Sequence, residues 1–162
     1  MGKANESLAV ALSSTAQSFN KVGGHDRQVG MTVSGLYSVQ RVLAYAVTDD
    51  TFVTNFGCQA AYDHSVLNNT ILQDDGTQDL FGAAQAFNTQ VQEGGILNVH
   101  VGGTAYSPVV FEGGTLNVFG GSVMHAVVKR GGVLKVFHGA VHNATLERGA
   151  IYIPMCDEAR AR

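Results

Sequence analysis

Histidines and aspartates are the residues of this sequence whose types and spacing could support chemistry. His138 and His142 are four residues apart, a spacing that on a helix puts two imidazoles on one face, as in zinc sites. Gly139 lies between them in a glycine-rich stretch where no helix is expected. His100 and His125 do not share a position in the repeat described below. We therefore predict that the histidines are surface polar residues, with no metal site and no cofactor.

Clustered carboxylates would indicate a glycan-cleaving enzyme, because such enzymes act with a pair of acidic side chains. The acidic candidates are Asp49, Asp50, Asp63, Asp74, Asp75 and Asp79. Asp50 belongs to a polar series with Asn69 and Asn88, and Asp74 and Asp75 fall in an expected corner, so structural roles account for them. No Gly-x-Ser-x-Gly motif marks a nucleophilic serine. We predict no catalytic residues and no enzymatic activity.

The elements that would position any site come from a repeat. One phrase occurs four times, as Gly94-Gly95-Ile-Leu97-Asn-Val99, Gly113-Gly114-Thr-Leu116-Asn-Val118, Gly131-Gly132-Val-Leu134-Lys-Val136 and Arg148-Gly149-Ala-Ile151-Tyr-Ile153. Its leucine position is occupied in turn by Leu97, Leu116, Leu134 and Ile151. A nearly constant period of about 17–19 residues indicates a stack of similar structural units.

The period extends backwards through the chain and defines three columns of equivalent residues. The first column is Gln40, Gln59, Gln78, Leu97, Leu116, Leu134 and Ile151. The second is Val42, Ala61, Leu80, Val99, Val118, Val136 and Ile153, and the third is Val53, Leu72, Val91, Val110, Val128 and Leu146. Mostly polar residues separate the first two columns, which is the alternation of a strand with one buried face. If the glutamines point inward, their amides must bond one another, since an unpaired buried amide costs stability.

These columns predict an all-β fold, a single-stranded parallel β-helix or β-solenoid of about six to seven rungs, each of about 17–19 residues. Short strands would stack in register on the next turn, and Gly-Gly pairs at 94–95, 102–103, 113–114, 120–121 and 131–132 would form corners. An antiparallel meander would not need a side-chain type to recur at a fixed period. We predict an amino-terminal cap or short helix at 1–22, solenoid repeats at 23–154 and a polar tail at 155–162.

Composition excludes several functions. A net charge of −3 without a basic run argues against nucleic-acid binding. No stretch approaches the ~18 apolar residues of a membrane span, and the amino terminus lacks the pattern of a signal peptide. Cys58 and Cys156 have no motif around them and are expected to be isolated thiols. Lys129, Arg130 and Arg148 form a small basic spot, which we expect to be a solvated corner.

Aromatic residues recur near the predicted rung faces. They include Phe111, Phe119, Phe137 and Tyr152, and also Phe87 and Tyr106, which we expect to stack at a corner one period apart. Core filling explains most of them. Several pointing outward would form a flat apolar stripe of the kind that contacts a protein partner.

The segment Gly76-Thr-Gln78-Asp-Leu80 followed by Ala86-Phe-Asn88-Thr89-Gln-Val91-Gln-Glu-Gly94-Gly95 resembles the repeats of AIDA-type self-associating autotransporter adhesins. The resemblance covers about residues 28–153. It implies a right-handed parallel β-helix displayed on the cell surface, adhesion, and self-association through lateral contacts, with sugars on Ser or Thr in some members. The sequence departs from this family in having no signal sequence before the repeats, no membrane barrel after them and two cysteines.

We therefore expect a non-enzymatic structural or adhesive β-solenoid that mediates self-association or surface adhesion. Its partner would be a second copy, another protein or a cell-surface glycan. It would be extracellular if it is an exported passenger fragment and cytoplasmic otherwise. The alternatives are a cytosolic scaffold that stacks end to end like bactofilins, a small binding or inhibitor protein and, least favoured, a glycan-cleaving β-helix enzyme.

Overall fold

Each strand of the protein pairs in parallel with its counterpart one turn later. The computed structural model describes residues 19–155, which form a β-solenoid of seven turns and the first strand of an eighth. Residues 19–155 contain twenty strands and no helix. The predicted all-β solenoid is confirmed.

Three strand faces enclose the core. The first face contains β1 (Phe19–Val22), β4 (Val39–Val42), β7 (Cys58–Ala61), β10 (Thr77–Leu80), β13 (Ile96–His100), the first halves of β16 (Thr115–Met124) and β18 (Val133–His142), and β20 (Ile151–Pro154). The second face contains β2 (Arg27–Val29), β5 (Val47–Asp49), β8 (Val66–Asn68), β11 (Gln85–Phe87), β14 (Thr104–Tyr106) and the second halves of β16 and β18. The third face contains β3 (Thr32–Ser34), β6 (Phe52–Thr54), β9 (Ile71–Leu72), β12 (Gln90–Val91), β15 (Val109–Val110), β17 (Val127–Val128) and β19 (Thr145–Leu146).

The register confirms the predicted columns except in the last turn. Leu134 pairs with Tyr152, not with Ile151, and Val136 pairs with Pro154, not with Ile153. This shift arises because Gly149 aligns with the first glycine of the preceding Gly131-Gly132 pair. The hydrogen bond from the Gly131 amide to the Gly149 carbonyl (2.9 Å) shows this alignment. The last turn is therefore one residue longer than the sequence predicts.

The length of a turn falls along the solenoid. Phe19 pairs with Val39 and Val39 pairs with Cys58, so the first turn is one residue longer than the second. Thr115 pairs with Val133, which makes that later turn one residue shorter than the second. Most strands are short, but β16 and β18 continue through the corner and bend from the first face onto the second.

The glutamine column lies inside the solenoid. Gln40, Gln59 and Gln78 are completely buried, and each amide nitrogen donates to the amide oxygen one turn earlier, over 2.7 Å from Gln59 to Gln40 and from Gln78 to Gln59. Gln40 donates to Gln28 (3.0 Å). The column continues as the buried Leu97, Leu116 and Leu134. The predicted pairing of the amides is confirmed.

Threonines from a neighbouring column complete this internal network. Thr70 donates to Gln59 (3.3 Å) and accepts from Gln78 (3.0 Å), and Thr89 donates to Gln78 (3.0 Å). The core therefore combines a hydrogen-bonded ladder in the earlier turns with packed aliphatic side chains in every turn. The ladder pairs the glutamine amides with one another and with the Thr70 and Thr89 hydroxyls, as buried polar groups require.

The Gly-Gly corners use their two glycines for different reasons. Gly94 has a φ of 74°, which side-chain-bearing residues rarely adopt. Gly95 has ordinary φ, but a Cβ there would lie 2.4 Å from the Leu72 carbonyl oxygen. The second glycine thus allows two successive turns to approach closely.

The solenoid begins before the predicted boundary. Residues 19–22, assigned to the amino-terminal segment, form β1 and pair with β4. At the other end, the Met155 amide donates to the Val136 carbonyl (2.7 Å). The predicted cap at 1–18 and the tail at 156–162, including Cys156, lie outside the described residues.

Candidate functional site

The histidines singled out from the sequence are not brought together. His138 and His142 are exposed and lie on opposite sides of the bend in β18, where Gly139 has a φ of 110°. Their neighbours in the preceding turn are Phe119 and Met124. Among residues 19–155, no group of three or more His, Cys, Asp or Glu side chains is placed to hold a metal ion.

The six aspartates are distributed over separate structural roles. Asp49 accepts from Arg27 Nε (2.6 Å) and from Asn68 Nδ2 (2.9 Å). Asp74 accepts from Thr54 (3.1 Å) and from Gln73 (2.7 Å). Glycoside hydrolysis requires two carboxylates that face each other across a cleft. Asp49 and Asp74 are not arranged in this way, because each is bonded at a different part of the turn.

The polar corner series predicted at Asp50, Asn69 and Asn88 bonds from turn to turn. Asn69 Nδ2 donates to Asp50 Oδ1 (3.0 Å), and Asn88 Nδ2 donates to Asn69 Oδ1 (3.4 Å). All three residues have φ between 53° and 55°, a conformation that Asn and Asp tolerate better than most residues. Asp50 and Asp63 also have positive φ, so both serve at corners.

Asp79 is the centre of a polar network on the first face that the sequence analysis missed. Its Oδ1 lies 2.9 Å from Asn98 Nδ2 and 3.1 Å from His100 Nε2, and its Oδ2 lies 3.6 Å from the Cys58 sulfur. Asn117 in turn donates to Asn98 (2.9 Å). The repeat period could have predicted part of this network, because Asp79, Asn98 and Asn117 occupy equivalent positions in successive turns.

This network contains a cysteine, an aspartate and a histidine, but it cannot work as a nucleophilic triad. In a triad the histidine lies between the nucleophile and the carboxylate, whereas here Asp79 lies between Cys58 and His100. Burial and the neighbouring Asp79 carboxylate raise the pKa of Cys58 to about 12. The thiol therefore stays protonated at neutral pH and is not activated.

Beside the Asp79 network, five aromatic rings form a continuous stack over five turns of the first face. The stack consists of Tyr62, Phe81, His100, Phe119 and Phe137, with centroids 4.3–5.4 Å apart and neighbouring planes within 9–18° of each other. Each ring is half-buried, and the two faces of Phe81, His100 and Phe119 are covered by the rings of the turns on either side. Only the edges of these three inner rings reach solvent, so sugar rings could not lie flat on their faces.

The other predicted aromatics fall in different places. Phe87 and Tyr106 stack one turn apart as expected, with centroids 4.7 Å apart, although they lie on the second face and not in a corner. Phe111 is half-buried next to β15, and Tyr152 is 48% exposed in β20. Phe119 and Phe137 point outward, but the stripe they join is a stack of rings seen edge-on.

The corner between the third and first faces has separated charges, and we call it the charged corner. It comprises Asp74, Asp75, Glu93, Glu112, Arg130 and Arg148, all exposed. A Cβ on Gly113 would meet Glu93 Cγ, one on Gly131 would meet Glu112 Cγ, and one on Gly149 would meet Arg130 Cγ. Each long side chain thus lies over the glycine of the next turn, so the charges follow one line along the edge.

The basic spot predicted from the sequence forms the carboxy-terminal part of this corner. Arg130, Arg148 and Gly149 line a shallow depression. Lys129, whose side chain is 40% exposed, is paired with Glu147. The acidic part was missed, although Glu93, Glu112, Arg130 and Arg148 follow one another at the period of the turns.

Comparisons with known proteins give a likeness of fold only. No protein-family model and no curated protein matches the chain. Among solved structures, it resembles a crystal structure described as a TibC-catalysed, hyper-glycosylated fragment of TibA, with a TM-score of 0.61 and 20% sequence identity. The alignment covers 84% of this chain and 57% of the TibA fragment, so the chain spans little more than half the length of that structure.

The similarity to the TibA fragment agrees with the β-solenoid described above. No helix within residues 19–155 is both long enough and apolar enough to cross a membrane.

Proposed function

We propose that the protein is a non-enzymatic β-solenoid whose sides mediate self-association or adhesion at a cell surface. The separation of acidic from basic side chains along the charged corner carries this proposal. The likeness of fold to the TibA fragment and the resemblance of the repeats to AIDA-type adhesins support it.

The order of charges favours one arrangement of two copies. Glu93 and Glu112 lie in two successive turns, and Arg130 and Arg148 lie in the next two. With turns about 4.8 Å apart, the edge from Asp74 to Arg148 is about 19 Å long. Two antiparallel copies place Glu112 against the other copy's Arg130 and Glu93 against its Arg148, twice by symmetry. A parallel arrangement would place like charges opposite each other.

The strength of this contact follows from its exposure. An exposed ion pair contributes about 0.2–1 kcal/mol, so four pairs contribute roughly 1–4 kcal/mol. That corresponds to a dissociation constant of about 1 mM or weaker. Such a contact is weak between two free molecules but becomes effective when many copies are displayed on one surface.

The test is clustering of beads that carry the protein at high density. Beads with the intact chain should cluster at low salt and disperse at high salt, where the Debye length shortens to about 3 Å at 1 M. Beads with Glu93→Arg/Glu112→Arg, or with Arg130→Glu/Arg148→Glu, should not cluster alone. Equal mixtures of the two variants should cluster again, because each provides the charge that the other lacks.

The matched control is Lys21→Glu/Lys135→Glu, which reverses two charges on the first face and should leave clustering unchanged. Failure of intact-chain beads to cluster at any salt concentration would refute lateral self-association. Clustering that survives both corner variants, or that does not return on mixing them, would show that another surface is responsible.

A further inference from the structure

Two exposed aromatic residues, Tyr37 and Phe56, precede the acidic side chains of the charged corner. They occupy the position that Asp75 takes in the next turn and that Gly94 and Gly113 take after it, because the backbone bonds that follow this corner join equivalent residues of successive turns. Tyr37 is 67% exposed and Phe56 is 58% exposed. The corner therefore changes along the solenoid from aromatic to acidic and then to basic side chains.

The shape of the turn does not explain the two rings. The value of φ at this position is 69° at Tyr37 and 63° at Phe56, and it is 74° at Gly94. A bulky side chain adopts such a backbone only at a cost that glycine avoids. Since later turns form the same corner with glycine, and both rings are more than half exposed, neither turn geometry nor core packing accounts for them.

The ring faces of Tyr37 and Phe56 are uncovered. Neither ring stacks on another ring or lies beneath a cation among residues 19–155. Tyr45, a similarly exposed ring at the corner between the first and second faces, lies instead between His25 and His64. Unlike the inner rings of the five-ring stack, Tyr37 and Phe56 can therefore receive a group on their faces.

The charge beside these rings is negative. Asp75 is exposed one turn after Phe56, and its carboxylate bonds to no other side chain of residues 19–155. Asp74, its neighbour in sequence, is also exposed. The antiparallel contact proposed above uses Glu93 and Glu112 and leaves both aspartates without a partner. A ligand that complements this part of the corner must therefore carry positive charge and present a flat surface.

We propose that Tyr37, Phe56 and Asp75 bind an arginine side chain of a partner protein. A guanidinium is cationic and planar, so it stacks on an aromatic face and pairs with a carboxylate through two N–H groups. The protein contains one such stack within itself, since the Arg41 guanidinium carbon lies 5.4 Å from the centroid of the Phe19 ring. With turns about 4.8 Å apart, one guanidinium can contact Phe56 and Asp75 together.

The test is a chemical-shift titration of the isotope-labelled intact chain with a peptide in which arginine alternates with glycine. Several arginines are needed because one exposed contact of this kind is weak. The shifts should centre on Tyr37, Phe56 and Asp75. A lysine peptide of equal charge should bind at least ~2-fold more weakly, because an ammonium group is not planar. A citrulline peptide, planar but neutral, should not bind.

Substitutions separate the rings from the charge. Tyr37→Asn/Phe56→Asn removes both rings, and asparagine tolerates the positive φ. Each exposed cation–π contact corresponds to about 2–5-fold in affinity, so this variant should bind the arginine peptide roughly 5–25-fold more weakly. Asp75→Asn should also weaken binding. The matched control is Tyr45→Asn, at a ring 58% exposed with a φ of 61°, which should bind as the intact chain does.

Because both rings are exposed, the ring variant should keep the far-UV circular dichroism of the intact chain. The proposal is overturned if the arginine peptide does not bind, if the lysine peptide binds equally well, or if the ring variant binds as tightly as the intact chain. It is also overturned if maltohexaose, a neutral glycan, shifts these resonances and the arginine peptide does not.

Beads that carry Tyr37→Asn/Phe56→Asn retain Glu93 and Glu112 and should cluster as the intact chain does. Loss of clustering by this variant alone would overturn the proposal, since a second copy would then cover the rings. Peptide binding does not require self-association, so the two proposals are tested separately.

Discussion

The glutamine ladder in the core should make Gln59 one of the most sensitive positions in the protein. Gln59 is completely buried and bonds to four partners, donating to Gln40 and Thr48 and accepting from Gln78 and Thr70. Leucine occupies the equivalent position in later turns, so Gln59→Leu fits the backbone. Any loss of stability therefore comes from polar groups of neighbouring residues that the substitution leaves without a hydrogen-bond partner.

The cost can be worked out from these contacts. Gln40 Oε1 and the Thr48 hydroxyl each lose a donor and the Thr70 hydroxyl loses its acceptor, whereas Gln78 Nε2 keeps its bond to Thr70. Each orphaned buried group costs about 1–3 kcal/mol, and leucine recovers part of that by burying apolar surface. We expect Gln59→Leu to lower the free energy of unfolding by about 2–4 kcal/mol.

Urea unfolding followed by far-UV circular dichroism measures this change. With m values of about 1–3 kcal/mol/M, the midpoint should fall by roughly 1–2 M. The matched control is Gln90→Leu, the same substitution at an exposed position on the third face, which should change stability by no more than about 0.5 kcal/mol.

A triple variant tests the reasoning more sharply. Gln40→Leu/Gln59→Leu/Gln78→Leu removes both partners of the two Gln–Gln bonds and extends the leucine column, leaving only Gln28 and the threonines Thr48, Thr70 and Thr89 without their glutamine partners. Its cost should therefore be well below three times that of Gln59→Leu. Removing both partners of a hydrogen bond is cheaper than removing one. A threefold cost, or a single substitution without effect, would refute the account of the core as a paired ladder.

Two further predictions concern a corner and a thiol. Gly95→Ala should lower the unfolding free energy by more than about 2 kcal/mol, because its Cβ would lie 2.4 Å from the Leu72 carbonyl oxygen. Gly24→Ala, at a φ of 69° with nothing within 4 Å of the new Cβ, should cost only the backbone strain of about 1–2 kcal/mol, and equal losses would contradict the steric argument. The pKa of Cys58, raised from 9.0 to about 12, should slow its alkylation in the folded chain at pH 9, as measured by mass spectrometry against the urea-unfolded chain. The unfolded thiol ionises first, so the stability that Cys58 contributes below pH 9 should be lost as the pH rises to about 12, and Cys58→Ser should remove this dependence.

The sequence was sufficient for the fold because a solenoid repeats its packing problem. The column Val53, Leu72, Val91, Val110 and Val128 is apolar in every turn, and each member pairs with the next in the structure. Corner residues recur with the same period, since the backbone needs the same bend in each turn. Agreement over several copies compensates for the weak signal of any single short strand.

The last turn shows where this reasoning fails. The phrase Arg148-Gly149-Ala-Ile151 contains one glycine, and the sequence does not say whether it replaces the first or the second of a Gly-Gly pair. The backbone hydrogen bond from Gly131 to Gly149 shows that Gly149 occupies the position of the first glycine. A one-residue slip exchanges inward and outward side chains, so Tyr152 takes the position that the repeat assigned to Ile151.

The outward columns were harder to predict, because their members differ in residue type and touch through side chains. Asp79, Asn98 and His100 become one network only when their rotamers are known. The stack that contains Phe81 and Phe119 includes a histidine, which a search for aromatic residues passes over. Spacing places these residues on neighbouring turns but does not specify which atoms meet.

Stacking itself indicates where a partner should be sought. Amides, hydroxyls and aromatic rings are stabilised by a copy of themselves one turn away, so the glutamine ladder, the polar corner series and the ring stack are explained by the fold alone. Carboxylates are destabilised by such a copy, because like charges on neighbouring strands repel. Glu93 and Glu112 are therefore a run that internal packing does not favour, and it ends where Arg130 begins. An oppositely charged partner surface would remove that repulsion, and the charged corner of a second, antiparallel copy provides one.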